Sequence, residues 1–372
     1  MPRLSLSPAI THKDIATRCG VSQSAVSNAL RGCGHLNPAT RARILAVAAE
    51  LGYDPARQEA ARRLIARRHQ TAVINRMIAV SIPGDFYEDR YYGLLLHGVA
   101  ETLMRADFDI VLLHPRQGEE PSFLRSPSFR RGEVDGFLTM AFNEVDEEVT
   151  AVQAQTRFAT RPVITLIEHC AYCNTVTADD QRGAAAAAAH LLALGHRHLL
   201  QIGTWGATSD NRQAGVLQAI REAGLDPGAV YQFCTVAENW LSPDLPPGSA
   251  SLIRAWPSQE VLPLRTYLAR HPQITAMLAA NDSTARHIAV HLQTMGKQIP
   301  DDYSLIGFDD TVPLLGAKGD NILTSVQVPL REIGQTAAQL IIEQVTSGQV
   351  ALIHRQLPTR LIVRHTTGPA RH

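Results

Sequence analysis

The 372-residue chain is 45% hydrophobic and 19% charged, enough apolar sequence to bury large cores and to divide into two or three domains. Its first residues, M-P-R-L-S-L-S-P, lack the apolar run of a signal peptide, and its most apolar segment, Ala184 to Leu194, is interrupted by His190 and too short to span a bilayer. The expectation is therefore a cytoplasmic protein without a membrane partner, whose five cysteines stay reduced. The formal charge is zero, yet residues 1–70 carry 11 Lys or Arg against 4 Asp or Glu, which leaves 24 against 31 for the remainder. A basic segment joined to an acidic one suits phosphate neutralisation, because local charge sets that affinity.

Thr11 to Arg31, T-H-K-D-I-A-T-R-C-G-V-S-Q-S-A-V-S-N-A-L-R, reads as two short helices joined by a tight turn. Thr11 caps a helix from His12 to Cys19, Asp14 favours its positive end, and Gly20 supplies the left-handed residue that stops it. Ser22 caps a second helix, in which Val26, Ala29 and Leu30 face Ile15, Ala16 and Cys19. The opposite face presents Gln23, Ser24, Ser27 and Asn28, amides and hydroxyls that suit base edges in the major groove. An ordinary surface helix pair has the same pattern, so this stretch alone leaves both readings open. Asn37-Pro38 starts a third helix, whose stripe of Ile44, Leu45, Val47, Ala48 and Leu51 closes a thin core before Gly52 ends it.

From Met77 the pattern changes to short β-branched runs alternating with helical segments. Strands are predicted at 77–82, 109–114, 134–140, 163–167, 199–202, 276–280 and 303–306, with a helix from Tyr91 to Met104. Such alternation predicts parallel sheets covered on both faces, with ligands bound beyond the carboxyl ends of the strands. Cys170-Ala171-Tyr172-Cys173 has the spacing of a redox or zinc half-site but lacks a second pair, and His287 and His291 share a helix face without the glutamate of a zinc protease. Neither implies a metal or cofactor. The proline-rich stretch from Val236 to Trp256 reads as an enlarged loop, whose Trp240 and Trp256 either reach a site or pack the loop.

The head motif T-x-K-D-I-A-x-x-x-G-V-S-x-x-x-V-S-x-A-L, followed by N-P-A-T-R-x-R-I-L-x-x-A-x-E-L-G-Y-x-P, resembles the N-terminal domain of lac repressor (LacI/GalR) family transcriptional regulators. In the body, V-D-G-F-L, P-V-I-T-L-I-E, I-T-A-M-L-A-A-N-D, I-P-D-D-Y-S-L-I-G-F-D-D and L-T-S-V-Q-V-P are similar to successive motifs of that family's effector domain. The resemblance implies an all-α, lambda-repressor-like helix-turn-helix head over residues 1–56 and a hinge at 57–76. It further implies an α/β body of the periplasmic-binding-protein type, with parallel sheets, over 77–372. The two lobes of that body are expected at about 77–178 with 326–352 and at 179–325 with 353–366.

On this resemblance Gln23, Ser24 and Asn28 fall on base-reading positions, while Thr11, Ser22 and Ser27 fall on phosphate-contacting or supporting ones. The linker departs from the family, since the ungapped position of the minor-groove wedge is Arg62; a two-residue shift places Leu64 there. The rival reading has Arg57, Arg62, Arg63, Arg67 and Arg68 hold phosphates electrostatically with no wedge. For the cleft, Glu168, Asn281 and Asp309 each follow an apolar strand and Arg212 lies near the start of a helix, a set that can hydrogen-bond hydroxyls. Phe86 or Tyr87, with Trp205, are the aromatic lids expected over a sugar ring. Asn281 also fits a plain helix cap, and Asp179-Asp180 stands where the family usually has Asp-Asn. The function implied is a homodimeric repressor-type regulator, non-enzymatic, whose affinity for a two-fold operator is controlled by a sugar or sugar derivative between the lobes. The competing class is a solute-binding or sugar-processing protein with a head that does not bind DNA.

Overall fold

In the computed structural model the described residues are 10–30, 34, 36–53, 74–82, 90–113, 126–140, 145–154, 160–203, 207–235 and 264–371. Arg57, Arg62, Arg63, Leu64, Arg67 and Arg68 of the linker, the aromatics Phe86, Tyr87 and Trp205, and Trp240 and Trp256 all lie outside them. The chain separates into two compact units, Met1–Ile74 and Asn75–His372.

Among its described residues the first unit contains three helices, α1 His12–Cys19, α2 Gln23–Leu30 and α3 Pro38–Glu50. A capping box fixes the start of α1: the Thr11 hydroxyl and backbone N–H both donate to Asp14 Oδ2, at 2.6 and 2.7 Å, and the Asp14 N–H returns to the hydroxyl. Those bonds, the hydroxyl's first, hold the Asp14 carboxyl below its usual range. Gly20 adopts φ 62°, a left-handed conformation that side-chain-bearing residues rarely adopt, and its N–H closes the helix end. The core is Ile15, Ala16, Cys19, Val26, Ala29, Ile44 and Ala48, rimmed by Val21, Leu30, Val47, Leu51 and Tyr53. Leu45, expected in that stripe, is instead 45% exposed, because it lies one residue round the helix from Ile44 and faces away from the core.

The second unit is built on two six-stranded sheets. The first lobe comprises β1 Met77–Ser81, α4 Arg90–Arg105, β2 Asp109–Leu113, α5 Pro127–Arg130, β3 Gly136–Thr139, α6 Val145–Gln153, β4 Val163–Thr165 and β5 Asn174–Ala178. The second begins with α7 Asp180–Ala193, β6 Leu199–Gly203, α8 Ala207–Glu222, α9 Pro227–Val230, β7 Tyr231–Thr235 and α10 Leu264–Arg270. It continues with β8 Ala276–Ala279, α11 Asp282–Thr294, β9 Ser304–Asp309 and β10 Thr324–Gln327. The chain then returns to the first lobe for α12 Leu330–Ser347 and β11 His354–Leu357, and crosses again to β12 Arg360–Ile362. The sheet orders are β11-β5-β4-β3-β1-β2 and β12-β10-β9-β8-β6-β7, parallel throughout except for the β10–β12 pair. Central strands such as β3, β6 and β9 are buried along their whole length, as helices on both faces require.

Two lobe boundaries differ from expectation. The segment 326–327 pairs in the second sheet, with Val326 opposite Phe308 and Leu361, so the second crossing falls after Gln327. Residues 354–357 belong to the first sheet, where they pair with β5, so the last crossing follows Leu357. Cys170 and Cys173 pack inside an apolar cluster with Val134, Phe137 and Val163, as small hydrophobes do. His287 and His291, on one face of their helix, are half-buried, and burial holds the His287 imidazole's pKa below its ordinary value.

The first-lobe helices α4 and α12 cross closely because each offers a glycine. A Cβ at Gly98 would collide with the Arg331 carbonyl, and one at Gly334 with the Leu95 carbonyl. Gly98→Ala should therefore destabilise the protein by about 1–3 kcal/mol in urea unfolding, since backbone cannot yield as a side chain can. Gly93→Ala, on the same helix with nothing within 4 Å of its Cβ, should be neutral or slightly stabilising. Equal losses in the two variants would refute close helix approach as the cause.

Candidate functional site

In the first unit, α2 buries Val26 and Ala29 and leaves Gln23 and Ser24 exposed, with Ser27 and Asn28 half-exposed. Ser22 caps the helix: its hydroxyl accepts the Ala25 N–H at 3.2 Å and bonds the Ser24 hydroxyl at 2.8 Å. The Asn28 side chain lies against Gly34, whose φ of 81° turns the chain between α2 and α3. The helix therefore presents amides and hydroxyls along one face while its other face is fixed by the core. Arg43 bonds the Cys19 carbonyl at 3.1 Å and His12 Nε2 bonds the Tyr53 hydroxyl at 2.7 Å, locking α3 to α1 and the end of the domain to its start.

In the second unit, polar side chains converge at the carboxyl edge of the second sheet. Arg212, in the second turn of α8, donates from Nε to Asp180 Oδ1 at 2.7 Å, from Nη1 to the Ala280 carbonyl and from Nη2 to Asp309 Oδ1 at 3.4 Å. Its guanidinium lies over the Phe308 ring, 3.6 Å from the centroid. Among the described residues three of its five N–H donors are thus used by the protein. Burial opposes charge on Arg212, but Asp180 and Asp309 more than offset it and raise its pKa. Asp180 goes the other way: burial raises its carboxyl despite the pull of Arg212. Asn281 caps α11, its Oδ1 accepting the Thr284 N–H at 2.8 Å, which fixes the amide at the helix end and leaves its Nδ2 to donate. Glu168 stands on the other lobe, buried in the turn after β4, where its carbonyl accepts the Thr165 hydroxyl at 2.6 Å.

Sequence reasoning missed three contributors. Asp180, whose part was in doubt, is the closest carboxylate to Arg212. Tyr91, at the start of α4 in the first lobe, has its phenol pushed well above the ordinary value by burial and then by the charges of Asp309 and Asp180, so it stays a neutral hydroxyl. Asp282 lies behind the site. It accepts the Thr311 and Val312 N–H groups at 2.7 and 3.2 Å and the Ser325 hydroxyl, and so holds the loop after β9. That support is needed, because Asp309 and Asp310 occupy φ 95° and 56°, which side-chain-bearing residues rarely adopt. The only sequence signal for these residues was position: Asp282 follows a candidate, and Tyr91-Tyr92 opens a helix after a strand.

A three-helix domain with an exposed polar second helix, and a body of two crossed-over parallel sheets with its polar cluster at the strand ends, define a helix-turn-helix protein with a periplasmic-binding-protein-like body. Residues 11–56 match the model described as bacterial regulatory proteins, lacI family. Residues 75–241 match periplasmic binding proteins and sugar binding domain of LacI family, and residues 188–367 match a periplasmic binding protein-like domain. The chain belongs to the lacI family of bacterial regulatory proteins and is a DNA-binding transcriptional regulator. It is 28% identical over 358 residues to the HTH-type transcriptional regulator CelR of Thermobifida fusca, covering 95% of this chain and 96% of that one. In fold it is similar to a CelR–cellobiose complex, with TM-score 0.61 at 22% identity over 96% of this chain and 99% of that chain. It is also similar to the lac repressor dimer bound to operator and the anti-inducer ONPF, with TM-score 0.64 at 20% identity over the same shares. Among the described residues no helix is long and apolar enough to cross a membrane.

Burial pushes the Asp282 carboxyl up to about 6 from the ordinary 3.8. The folded state then holds this proton more tightly than the unfolded state. Asp282 therefore favours folding most below the unfolded value, and the contribution is lost as pH rises towards 6. The melting temperature of the parent relative to Asp282→Asn should fall as pH is raised from about 4 to about 7. Parallel melting curves across that range would show that the carboxyl does not titrate in this window.

Proposed function

We propose that the regulator responds to a neutral sugar bound between the lobes, with Arg212, Asn281 and Asp309 as its principal polar contacts and Glu168 as a further one from the first lobe. The observation that carries this reading is the pinned guanidinium. Among the described residues Arg212 retains two N–H donors beside a carboxylate acceptor, the donor–acceptor pairing that a vicinal diol satisfies. Two carboxylates against one guanidinium leave the cluster net negative, which disfavours phosphorylated or carboxylated ligands. Several relatives point the same way in name, among them ribose operon repressors. In a thermal-shift screen, neutral pentoses, hexoses or disaccharides should raise the melting temperature, and sugar phosphates should not. Arg212→Lys should abolish the shift, because an ammonium cannot bond three fixed acceptors and a ligand together. A shift given only by anionic sugars would reverse the assignment.

At the operator, Gln23, Ser24 and Asn28 read base edges, Ser22 and Ser27 support or contact phosphates, and Thr11 sits at a helix start suited to a phosphate. The protein acts as a cytoplasmic homodimer on a pseudo-palindromic site, with two-fold half-sites following from two-fold protein symmetry. Effector binding changes the angle between the lobes, and operator affinity shifts by the effector's differential affinity for the two states. Leu64 as a wedge, and Arg57, Arg62 and Arg63 as phosphate clamps, remain the two linker assignments to be separated by operator bending in Leu64→Ala. Asn28→Ala should lose about 1–3 kcal/mol of discrimination at one base pair in gel shifts while keeping its salt-dependent nonspecific binding. A uniform loss on specific and random duplexes would assign Asn28 to the phosphate backbone instead.

A further inference from the structure

The loop after β9 faces two ways. Asp309 turns its carboxylate to Arg212 in the cleft, whereas Asp310, the next residue, turns to the segments that cross between the lobes. Arg364, just beyond β12, grips Asp310 with both terminal nitrogens, at 2.8 and 3.1 Å, and also donates to the Leu323 carbonyl at 2.6 Å. Gln327, the last residue of β10 before the second crossing, donates to Asp310 Oδ2 at 3.1 Å and accepts from Arg360, at the end of the third crossing, at 3.3 Å. Val328, within the second crossing, donates its N–H to the Asp309 carbonyl at 3.4 Å. The first crossing joins the third: the Asp179 N–H bonds the Leu357 carbonyl at 2.9 Å and the Thr359 hydroxyl bonds the Asp179 carbonyl at 3.0 Å.

We propose that Asp310 is a positioning residue that fixes the inter-lobe crossings to the effector cleft, through Gln327 and Arg360 on one side and Asp309 on the other. With both residues left-handed, a shift of Asp309 on its contact with a ligand rotates the peptide that carries Asp310; the bidentate Arg364 pair holds that carboxylate in the second lobe, and the Gln327 bond passes the strain to the second crossing. Arg364 and Asp310 are largely buried, so the pair is poorly screened by solvent. A single dipeptide thus lies in both the binding site and the hinge. This assignment rests on the cleft being the effector site, but the contacts themselves do not.

Hydrogen exchange on the full-length protein, with neither DNA nor sugar present, tests the latch directly. In Asp310→Asn and in Gln327→Met, amides of 327–330 and 357–364 should exchange at least about tenfold faster, while β8 and α11 keep parental rates. Gln327→Met leaves the Arg364 pair intact and guards against a general folding defect in the first variant. Unchanged exchange at the crossings, or an equal rise throughout the second lobe, would overturn the proposal. The second readout is affinity for the duplex that the parent protein enriches from a random DNA pool. Gln327→Met should change it at least about fivefold with base preference retained, and unchanged affinity despite faster exchange would also overturn it. Failure of the parent to enrich any duplex would instead count against the operator reading and leave the exchange result standing.

Discussion

The second lobe depends on keeping one buried guanidinium ionised. Arg212 is taken out of water, which disfavours its charge, and is retained because Asp180, Asp309, a backbone carbonyl and an aromatic face compensate from four directions. Those partners come from α7, β9, the end of β8 and the Phe308 ring, so the arginine also fixes how the helices meet the sheet edge. The close approach of α8 to α7 follows the same logic, since a Cβ at Gly215 would strike the Gln181 carbonyl. On the proposed reading of the cleft, this rigidity serves recognition, since donors held before a ligand arrives need not be ordered by it.

The two units solve different problems with the same economy of local signals. Among the described residues the first unit has a core of seven buried apolar residues, and its caps, its left-handed glycine and the His12–Tyr53 contact carry a correspondingly large part of its definition. The body has ample core, and its polar groups are instead concentrated where strands end, with Asp135 at the opposite edge accepting from the Asn75 and Met77 amides where the chain enters β1. Burial raises the Asp135 carboxyl, while those amides and Arg161 oppose the rise. Asn75 is thereby clamped at the first residues after the linker.

Much of this was legible in the sequence where the cause was local. Thr11, Gly20, Ser22 and Asn37-Pro38 mark helix ends through bonds made within three residues, and the structure places α1 to α3 at those ends. Arg212 and Asp309 were found because a polar residue directly after an apolar run, or near a helix start, must lie at a strand edge. Asp180, Tyr91 and Asp282 were not, because their roles exist only through residues dozens to hundreds of positions away. The strand His354–Leu357 was misplaced for a related reason: its largely exposed pattern carries no sheet identity, and pairing with β5 alone decides its lobe. Helix rotation likewise decided that Ile44 is core and Leu45 is not.

The triple crossing has a consequence in time as well as in space. The first lobe cannot be finished when its first five strands have left the ribosome, since α12 packs on its sheet and β11 covers the edge of β5 only after the whole second lobe has been synthesised. Until then β5 is an open parallel edge, able to pair with the wrong strand or with another nascent chain. The closing contacts also span long loops, which slows folding. The last few dozen residues therefore decide whether either lobe is completed, and a chain cut short near residue 350 would lose the integrity of both.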